Sequence, residues 1–137
     1  MIAKAFEDFL LSHLDNYLIP AEDLAIFIDT HNADHVKLLL MSNGYSRVPV
    51  LTKDKKYVGT ISISDILSYQ AQNQLNDWEV DPTDIREMVN TKIETINEAA
   101  DLTEIMHKLV DFPFLPVVND DNVFQGIITR KSILKAV

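Results

Sequence analysis

The chain has 137 residues, a net charge of −9 and no cysteine. This length suits one domain or two very small ones, and the lack of cysteine excludes disulfides and Cys-based zinc or iron–sulfur sites. The negative charge makes the chain a poor general binder of nucleic acid or of an anionic membrane surface, because both kinds of binding need many cations.

The N-terminal segment is predicted to form an amphipathic helix over Ala3–Leu18, because Phe6, Leu10 and Leu14 recur at helical spacing. Glu7 and other polar residues interrupt the apolar ones, so the segment does not have the continuous apolar stretch of a signal peptide. No apolar run in the chain approaches the length needed to span a bilayer. We therefore expect a soluble, cytoplasmic protein.

A β-α-β-β-α order of elements is predicted after this helix. Val36, Leu39 and Leu40 have the spacing of an apolar helix face. Two apolar runs on either side of a polar turn indicate a β-hairpin. In chain order the predicted elements are a strand at Ala25–Ile28, a helix at Ala33–Ser42, strands at Arg47–Leu51 and Tyr57–Ser62, and a helix that begins at Ser64.

A polar connector follows and leads into a second set of elements. Residues 70–81 are polar and contain the single tryptophan, Trp78, and Asp81-Pro82-Thr83 has the pattern of a helix start. The elements predicted after it are a strand at Ile93–Ile96, a helix at Asp101–Val110, strands at Phe114–Val118 and Val123–Thr129, and a helix that begins at Lys131.

The two sets of elements form an internal repeat. A shift of 67 residues, without gaps, places Pro49-Val50 on Pro116-Val117 and Gly59 on Gly126. One such unit cannot cover both faces of its small sheet, so we expect the two to pack together. The predicted division is an N-terminal helix at 1–19, a first repeat at 20–70, a connector at 71–84 and a second repeat at 85–137.

The repeated motif, a Pro-Val strand and then Gly-x-Ile-Ser/Thr before a helix, resembles the CBS domain. Gly44–Val50 with Gly59–Asp65 forms the first copy, and Phe114–Val118 with Gly126–Ser132 forms the second. The resemblance covers about residues 20–137, nearly the whole chain. It implies an α/β fold of two β-α-β-β-α CBS repeats in a pseudo-twofold arrangement, a Bateman module, preceded by the N-terminal helix.

The same resemblance implies a class of function. CBS pairs are regulatory modules that bind adenine nucleotides and often form homodimers, so it implies a sensor and not an enzyme, with no cofactor and no metal. Glu22–Ala25, Gly44–Ser46 and Gly126–Lys131 are most similar to stand-alone cyclic-di-AMP-binding CBS proteins of Gram-positive bacteria. We therefore expect cyclic-di-AMP as the ligand, with AMP, ADP or ATP as the alternative, and an unidentified partner protein controlled by occupancy.

In a CBS pair, each ligand cleft combines the first strand and the Pro-Val strand of one repeat with the Ser/Thr turn of the other. A second, weaker cleft would take Ile93, Ser62 and Asp65. The residues that the resemblance assigns to the first cleft are Leu24, Ala25, Tyr45, Ser46, Arg47, Val48, Thr129, Arg130, Lys131 and Ser132.

Charge favours the first cleft. A phosphate ligand needs cations or convergent N–H donors, and Arg47, Arg130 and Lys131 supply cations there. Asp65 in the second cleft would repel a phosphate. Tyr45 presents an aromatic face on which adenine can stack, although an aromatic residue beside a strand is as readily explained by core packing.

Two smaller observations complete the prediction. Nucleotide-binding CBS repeats commonly hold the ribose diol with an Asp at the position of Ser132, and a 3′,5′-cyclic dinucleotide has no free diol, so serine favours cyclic-di-AMP over AMP. His31 and His35 have the i, i+4 spacing of a helical zinc pair. No third ligand is identifiable, and no metal site is assigned.

Overall fold

The computed structural model describes residues 17–136 of the chain. The described residues divide into two compact units. The first-repeat unit is Ala25–Lys92, and the second-repeat unit combines the residues up to Leu24 with those from Ile93 onwards. The described residues before Ala25, which include the start of the predicted first repeat, therefore belong with the second-repeat unit.

Seven strands and five α-helices lie within the described residues. The strands are β1 (Leu18–Pro20), β2 (Phe27–Ile28), β3 (Val48–Leu51), β4 (Tyr57–Ile61), β5 (Ile96–Asn97), β6 (Phe114–Val118) and β7 (Phe124–Thr129). The helices are α1 (Ala33–Asn43), α2 (Ile63–Gln72), α3 (Asp77–Val80), α4 (Leu102–Asp111) and α5 (Arg130–Ala136), with short 3₁₀ turns at Ala21–Asp23 and Ile85–Met88.

Each unit contains a small mixed sheet with the same core pattern. In the first-repeat unit the strand order is β2-β3-β4, with β2 parallel and β4 antiparallel to β3. In the second-repeat unit the order is β1-β7-β6-β5, with β5 parallel and β7 antiparallel to β6. The register shifts between Val50 and Leu51 in one sheet and between Val117 and Val118 in the other, which are equivalent positions 67 residues apart.

In each unit, backbone from outside that unit's own β-α-β-β-α motif pairs with the second strand of the hairpin. Strand β1 pairs with β7, with Leu18 opposite Ile128. In the first-repeat unit Asn90 takes the corresponding place, exchanging backbone hydrogen bonds of 2.8 and 2.9 Å with Thr60. The repeat motif alone therefore does not contain all the backbone that completes its sheet.

The two repeat-equivalent glycines make these extra pairings possible. A Cβ on Gly126 would collide with the carbonyl oxygen of Ile19, and a Cβ on Gly59 would collide with Val89 and lie 2.6 Å from the oxygen of Asn90. Gly126 also has a φ of +152°, a region that favours glycine. The glycines are thus required by close approach of a neighbouring segment.

Side chains on the covered faces of the sheets and helices form a separate core in each unit. No helix among residues 17–136 is long and apolar enough to cross a bilayer. The first-repeat core contains Phe27, Ala33, Val36, Leu40, Val48, Val50, Ile61, Ile66, Val80, Ile85 and Met88. The second-repeat core contains Tyr17, Ile96, Leu102, Ile105, Leu109, Leu115, Val117, Ile128 and Ile133.

The predicted α/β fold of two β-α-β-β-α repeats is confirmed, with element ends shifted by a few residues. Two details are wrong. Leu18, predicted as the end of a helix, begins strand β1 because it pairs with β7. Asp81-Pro82-Thr83 forms a turn, and the 3₁₀ helix starts later, at Ile85. The rest of the predicted helix Ala3–Leu18, up to residue 16, lies outside the described residues.

Candidate functional site

A cavity of about 360 Å³ lies at the start of α5 in the second-repeat unit. Its size falls within the range of small-molecule sites. Lys131 and Lys135 supply two ammonium groups to its lining, which includes no carboxylate among residues 17–136. The remaining lining residues are Tyr17, Leu18, Ile19, Thr129 and Ser132.

The turn between β7 and α5 is fixed by its own hydroxyl groups. Thr129 Oγ1 accepts a 2.8 Å hydrogen bond from the backbone N–H of Ser132. Ser132 Oγ in turn accepts from the N–H of Thr129 at 2.9 Å and donates to the Thr129 carbonyl at 2.9 Å. Reciprocal capping of this kind starts a helix and holds both hydroxyl groups at the cavity wall.

The Arg130 side chain bonds to the end of α4 and does not line this cavity. Its Nε donates to the carbonyl of Leu109 at 2.7 Å, and its Nη2 donates to the carbonyl of Val110 at 3.0 Å. These carbonyls end α4, where a cation is favoured by the helix dipole. Arg130 is absent from the lining of the cavity beside Lys131.

Sequence reasoning missed four lining residues, which are Lys135 and the consecutive residues Tyr17, Leu18 and Ile19. Lys135 lies four residues after Lys131, so the i, i+4 rule could have placed both on one helix face. The Tyr17 hydroxyl is buried without a hydrogen-bond partner among the described residues. Burial raises the pKa of Tyr17, so the hydroxyl stays protonated at neutral pH.

In the first-repeat unit, Arg47 belongs to a polar cluster at the start of α2. Its Nη1 lies 2.8 Å from Asp65 Oδ2 and donates to Thr60 Oγ1 at 2.9 Å. Asp65 also accepts from the N–H and hydroxyl of Ser62 at 2.9 and 3.0 Å, and from Asn90 Nδ2 at 3.2 Å. The structure therefore joins Arg47 to Ser62 and Asp65, which the prediction assigned to the other cleft.

The other first-cleft residues are distributed over both units. Leu24 ends its segment in the second-repeat unit, and Ala25 begins the first-repeat unit, where it packs on the core. Tyr45 is 47% exposed and Ser46 is exposed, whereas Val48 is buried in β3. Tyr45 is therefore not a core residue, which removes the packing explanation for it.

A second cavity, of about 390 Å³, lies beside α2 in the first-repeat unit. Asp65 and Glu87 contribute carboxylates to its lining, and Lys92 contributes an ammonium group. Ile93, predicted to belong to the second cleft, is half-buried in the other unit. The two cavities thus differ in the sign of their charge, and only the one beside α5 suits a phosphate.

The phenol of Tyr57 lies near the Arg47 cluster. Burial raises its pKa above the ordinary value, and the nearby Arg47 charge partly opposes that shift. Tyr57 is therefore neutral at physiological pH and adds no charge to this region.

His31 and His35 lie side by side, with ring centroids 5.5 Å apart. The Nδ1 of His31 accepts a hydrogen bond of 3.2 Å from the backbone N–H of Ile28. Among residues 17–136, no group of three or more metal-ligating side chains is present. The local hydrogen bond accounts for the position of His31.

Comparison with known families decides what this repeat is. The CBS domain family matches the chain twice, at residues 19–72 and 85–137. The chain belongs to the CBS-domain family. Its CBS repeats occupy both compact units, and each cavity lies beside the last long helix of one CBS repeat.

Individual proteins in this family are similar over nearly the full chain. Cyclic di-AMP receptor B of Bacillus subtilis is 26% identical over 136 residues, which cover 98% of this chain and 92% of the receptor. The crystal structure of CbpB from Streptococcus agalactiae is 78% identical, with a TM-score of 0.93, and covers 98% of this chain and 85% of that one. A crystal structure of CbpB in complex with c-di-AMP is 77% identical, with a TM-score of 0.91 and coverage of 97% and 89%.

Proposed function

We propose that this chain is a non-enzymatic receptor that binds cyclic-di-AMP at the cavity beside α5 and controls a partner protein according to occupancy. The observation that carries the proposal is the cavity beside α5, whose described lining has two lysines, three hydroxyl-bearing residues and no carboxylate. The similarity to a cyclic di-AMP receptor and to a c-di-AMP complex supports the choice of ligand.

The cavity residues suit the phosphates of this ligand. Lys131 and Lys135 would neutralise charged oxygens, and Thr129 Oγ1, which accepts from Ser132, still has its own proton to donate. We give these contacts to the lysines because the Arg130 guanidinium already donates to two carbonyls. Arg130 would then position the start of α5.

The adenine contacts are proposed for Tyr45 and for backbone groups of the residues predicted from the sequence. The exposed ring of Tyr45 offers a stacking surface worth about 1–3 kcal/mol per base. Backbone groups at Leu24, Ala25 and Val48 would bond the adenine edge, with Ser46 beside them. Arg47 would not contact the ligand directly, since its guanidinium is already held by the ion pair with Asp65. It would instead help to fix the position of the neighbouring residues.

Titration calorimetry of the full chain with cyclic-di-AMP tests the proposal, with AMP, ATP and cyclic-di-GMP run beside it. We expect selective binding of cyclic-di-AMP and a loss of about tenfold or more in Lys131→Ala and in Lys135→Ala. This loss corresponds to removing one charge-assisted hydrogen bond, about 1.5–3 kcal/mol.

The matched control is Lys53→Ala, which removes an exposed charge in the turn between β3 and β4 and should leave the affinity unchanged. Ser132→Asp adds a selectivity test, because a carboxylate there should improve AMP binding relative to cyclic-di-AMP. The fold accepts a carboxylate at this place, since Asp65 caps Ser62 at the equivalent position. Equal or tighter binding of AMP or ATP by the unaltered chain would instead make it an adenylate sensor.

We also propose that the chain acts as a homodimer. Both units carry large exposed apolar side chains on the helices that end their repeats, including Leu67 on α2 and Leu134 on α5. Apolar faces of this kind on a regulatory module suit contacts with a second copy. The regulated protein then has to bind elsewhere on the surface.

A further inference from the structure

Trp78 is the single tryptophan of the chain and is 75% exposed. Tryptophan is highly buried on average, because exposing its large ring to water forgoes a substantial hydrophobic gain. At protein–protein interfaces, by contrast, tryptophan is enriched among the residues that carry most of the binding energy. An exposed Trp on a structured segment therefore needs an explanation outside the fold of the monomer.

The segment that carries Trp78 is held in a defined conformation. Val80 is fully buried in the first-repeat core, and Leu75 packs against the same core, so both flanks of the Trp are anchored. The Nε2 of Gln70 donates to Asp77 Oδ1 at 2.8 Å, which ties α3 to α2. The exposure of the ring is thus not a consequence of a loose loop.

Further bonds fix the end of the segment. Lys37 on α1 pairs with Asp81 at 2.9 Å, and the N–H of Asp34 donates to the Asp81 carbonyl at 3.1 Å. The hydroxyl of Thr83 donates to the Glu79 carbonyl at 3.0 Å. An aromatic side chain presented on a pre-organised backbone loses little conformational freedom on binding, which favours affinity.

Charge around Trp78 indicates the chemistry of its partner. Residues 73–85 contain the acids Asp77, Glu79, Asp81 and Asp84 and no Lys or Arg. The bond to Asp77 comes from a neutral amide, so its negative charge remains. Asp81 is already paired with Lys37, whereas Glu79, like Asp77, accepts its hydrogen bond from a neutral group. An indole face beside the carboxylates of Asp77 and Glu79 is complementary to a guanidinium, which can stack on the ring and pair with the acid.

We propose that Trp78 is the anchor of a docking surface for a partner protein that presents arginine beside apolar side chains. A second copy of this chain suits the surface poorly, because its own net charge is −9. The proposal does not depend on which nucleotide the CBS repeats bind. It supplies the kind of surface through which a receptor could reach a separate protein.

The probe for this surface is a synthetic peptide in which arginine and leucine alternate, with a glutamate–leucine peptide beside it. Because Trp78 is the only tryptophan, its fluorescence reports directly on contact. We expect the arginine peptide to shift and quench the emission of the full chain, with weaker binding as salt is raised. The glutamate peptide should leave the emission unchanged.

Calorimetry extends the test to variants that lack the reporter. Trp78→Ala should weaken binding of the arginine peptide at least tenfold, and Trp78→Phe should weaken it less because an aromatic face remains. Met41→Ala is the matched control, since Met41 is 70% exposed on α1 and should not matter. Cyclic-di-AMP binding should be the same in all of these variants, so failure of the nucleotide proposal is seen separately.

The results that would overturn the docking surface are equally specific. Unchanged peptide affinity in Trp78→Ala, while its thermal unfolding matches that of the unaltered chain, would show that the ring takes no part. Equal binding of the glutamate peptide would remove the charge argument. Self-association that buries Trp78 and disappears on dilution would assign the surface to a second copy of the chain.

Discussion

The Asp65 side chain has two structural roles, one in an ion pair with Arg47 and one in capping α2. The side chains of Arg47 and Asp65 are 24% and 15% exposed, and the carboxylate serves both as the partner of the guanidinium and as the reciprocal cap of α2. An ion pair this enclosed is costly to break, because the remaining charge is left poorly solvated. Removing one partner of this pair should therefore destabilise the first-repeat unit more than removing one partner of a surface pair would.

Asp65→Asn should lower the free energy of unfolding by about 2 kcal/mol, since charged hydrogen bonds to Arg47 and to Ser62 are weakened together. Urea unfolding followed by circular dichroism measures the loss. Asp81→Asn is the control, because the Lys37–Asp81 pair is more exposed and should contribute about 1 kcal/mol or less. Equal costs for the two substitutions would mean that the enclosed position of Asp65 has no energetic consequence.

At the scale of elements, strand β1 connects the fold to the candidate site. It completes the second-repeat sheet through β7, and its residues Leu18 and Ile19 also line the cavity that contains Lys131. Gly126 permits this pairing because any side chain there would collide with Ile19. Displacing β1 should therefore change the shape of one cavity and leave the other intact.

Gly126→Ala and Gly59→Ala should both destabilise the protein, by about 1–3 kcal/mol each, because each adds a methyl group where backbone lies too close. Their effects on ligand should differ. Gly126→Ala should also weaken cyclic-di-AMP binding, since it moves a cavity wall, whereas Gly59→Ala should not. Thermal unfolding measures the stability of the two variants, and calorimetry on the same samples measures their affinity for cyclic-di-AMP. Equal affinities in the two variants would show that β1 does not shape the binding site.

The sequence was informative where the pattern was local. The 67-residue repeat and apolar spacing predicted the helices and hairpins of both repeats, and the resemblance identified the family. Strand β1 was missed because three residues, Leu18–Pro20, are too few to show alternation. The partners of Arg47 and Arg130 could not be predicted either, since a flexible cation can reach several acceptors and only the folded geometry selects among them.

For the whole molecule, two CBS repeats of similar sequence differ in the chemistry of equivalent positions. Equivalent positions carry Asp65 in one repeat and Ser132 in the other, and Ile63 in one and Arg130 in the other. The charged residues in the described lining of the cavity beside α5 are two lysines, whereas those of the cavity beside α2 are two acids and one lysine. Such divergence allows one repeat-derived site to take an anionic ligand while the equivalent site repels it.

The two repeats carry an exposed leucine at the same helix position, whereas the charges that line their cavities differ. Leu67 is 53% exposed and Leu134, 67 residues later, is 74% exposed. Beside Leu134 a groove of about 250 Å³ is lined by Met106, Val110 and Ile133, so a second copy could insert apolar side chains there. Retention of an apolar residue at both equivalent positions fits contact between copies, because an unused surface would tolerate polar replacements.

Sedimentation equilibrium tests this association. We expect the unaltered chain to be a dimer and Leu134→Glu to dissociate at least tenfold more readily, because a carboxylate would be buried against apolar side chains. Trp78→Ala should remain as dimeric as the unaltered chain, since Trp78 is assigned to a different partner. A monomer at all concentrations, or a Leu134→Glu variant that dimerises as tightly, would remove the helix faces from the interface and leave the two repeats to act within a single chain.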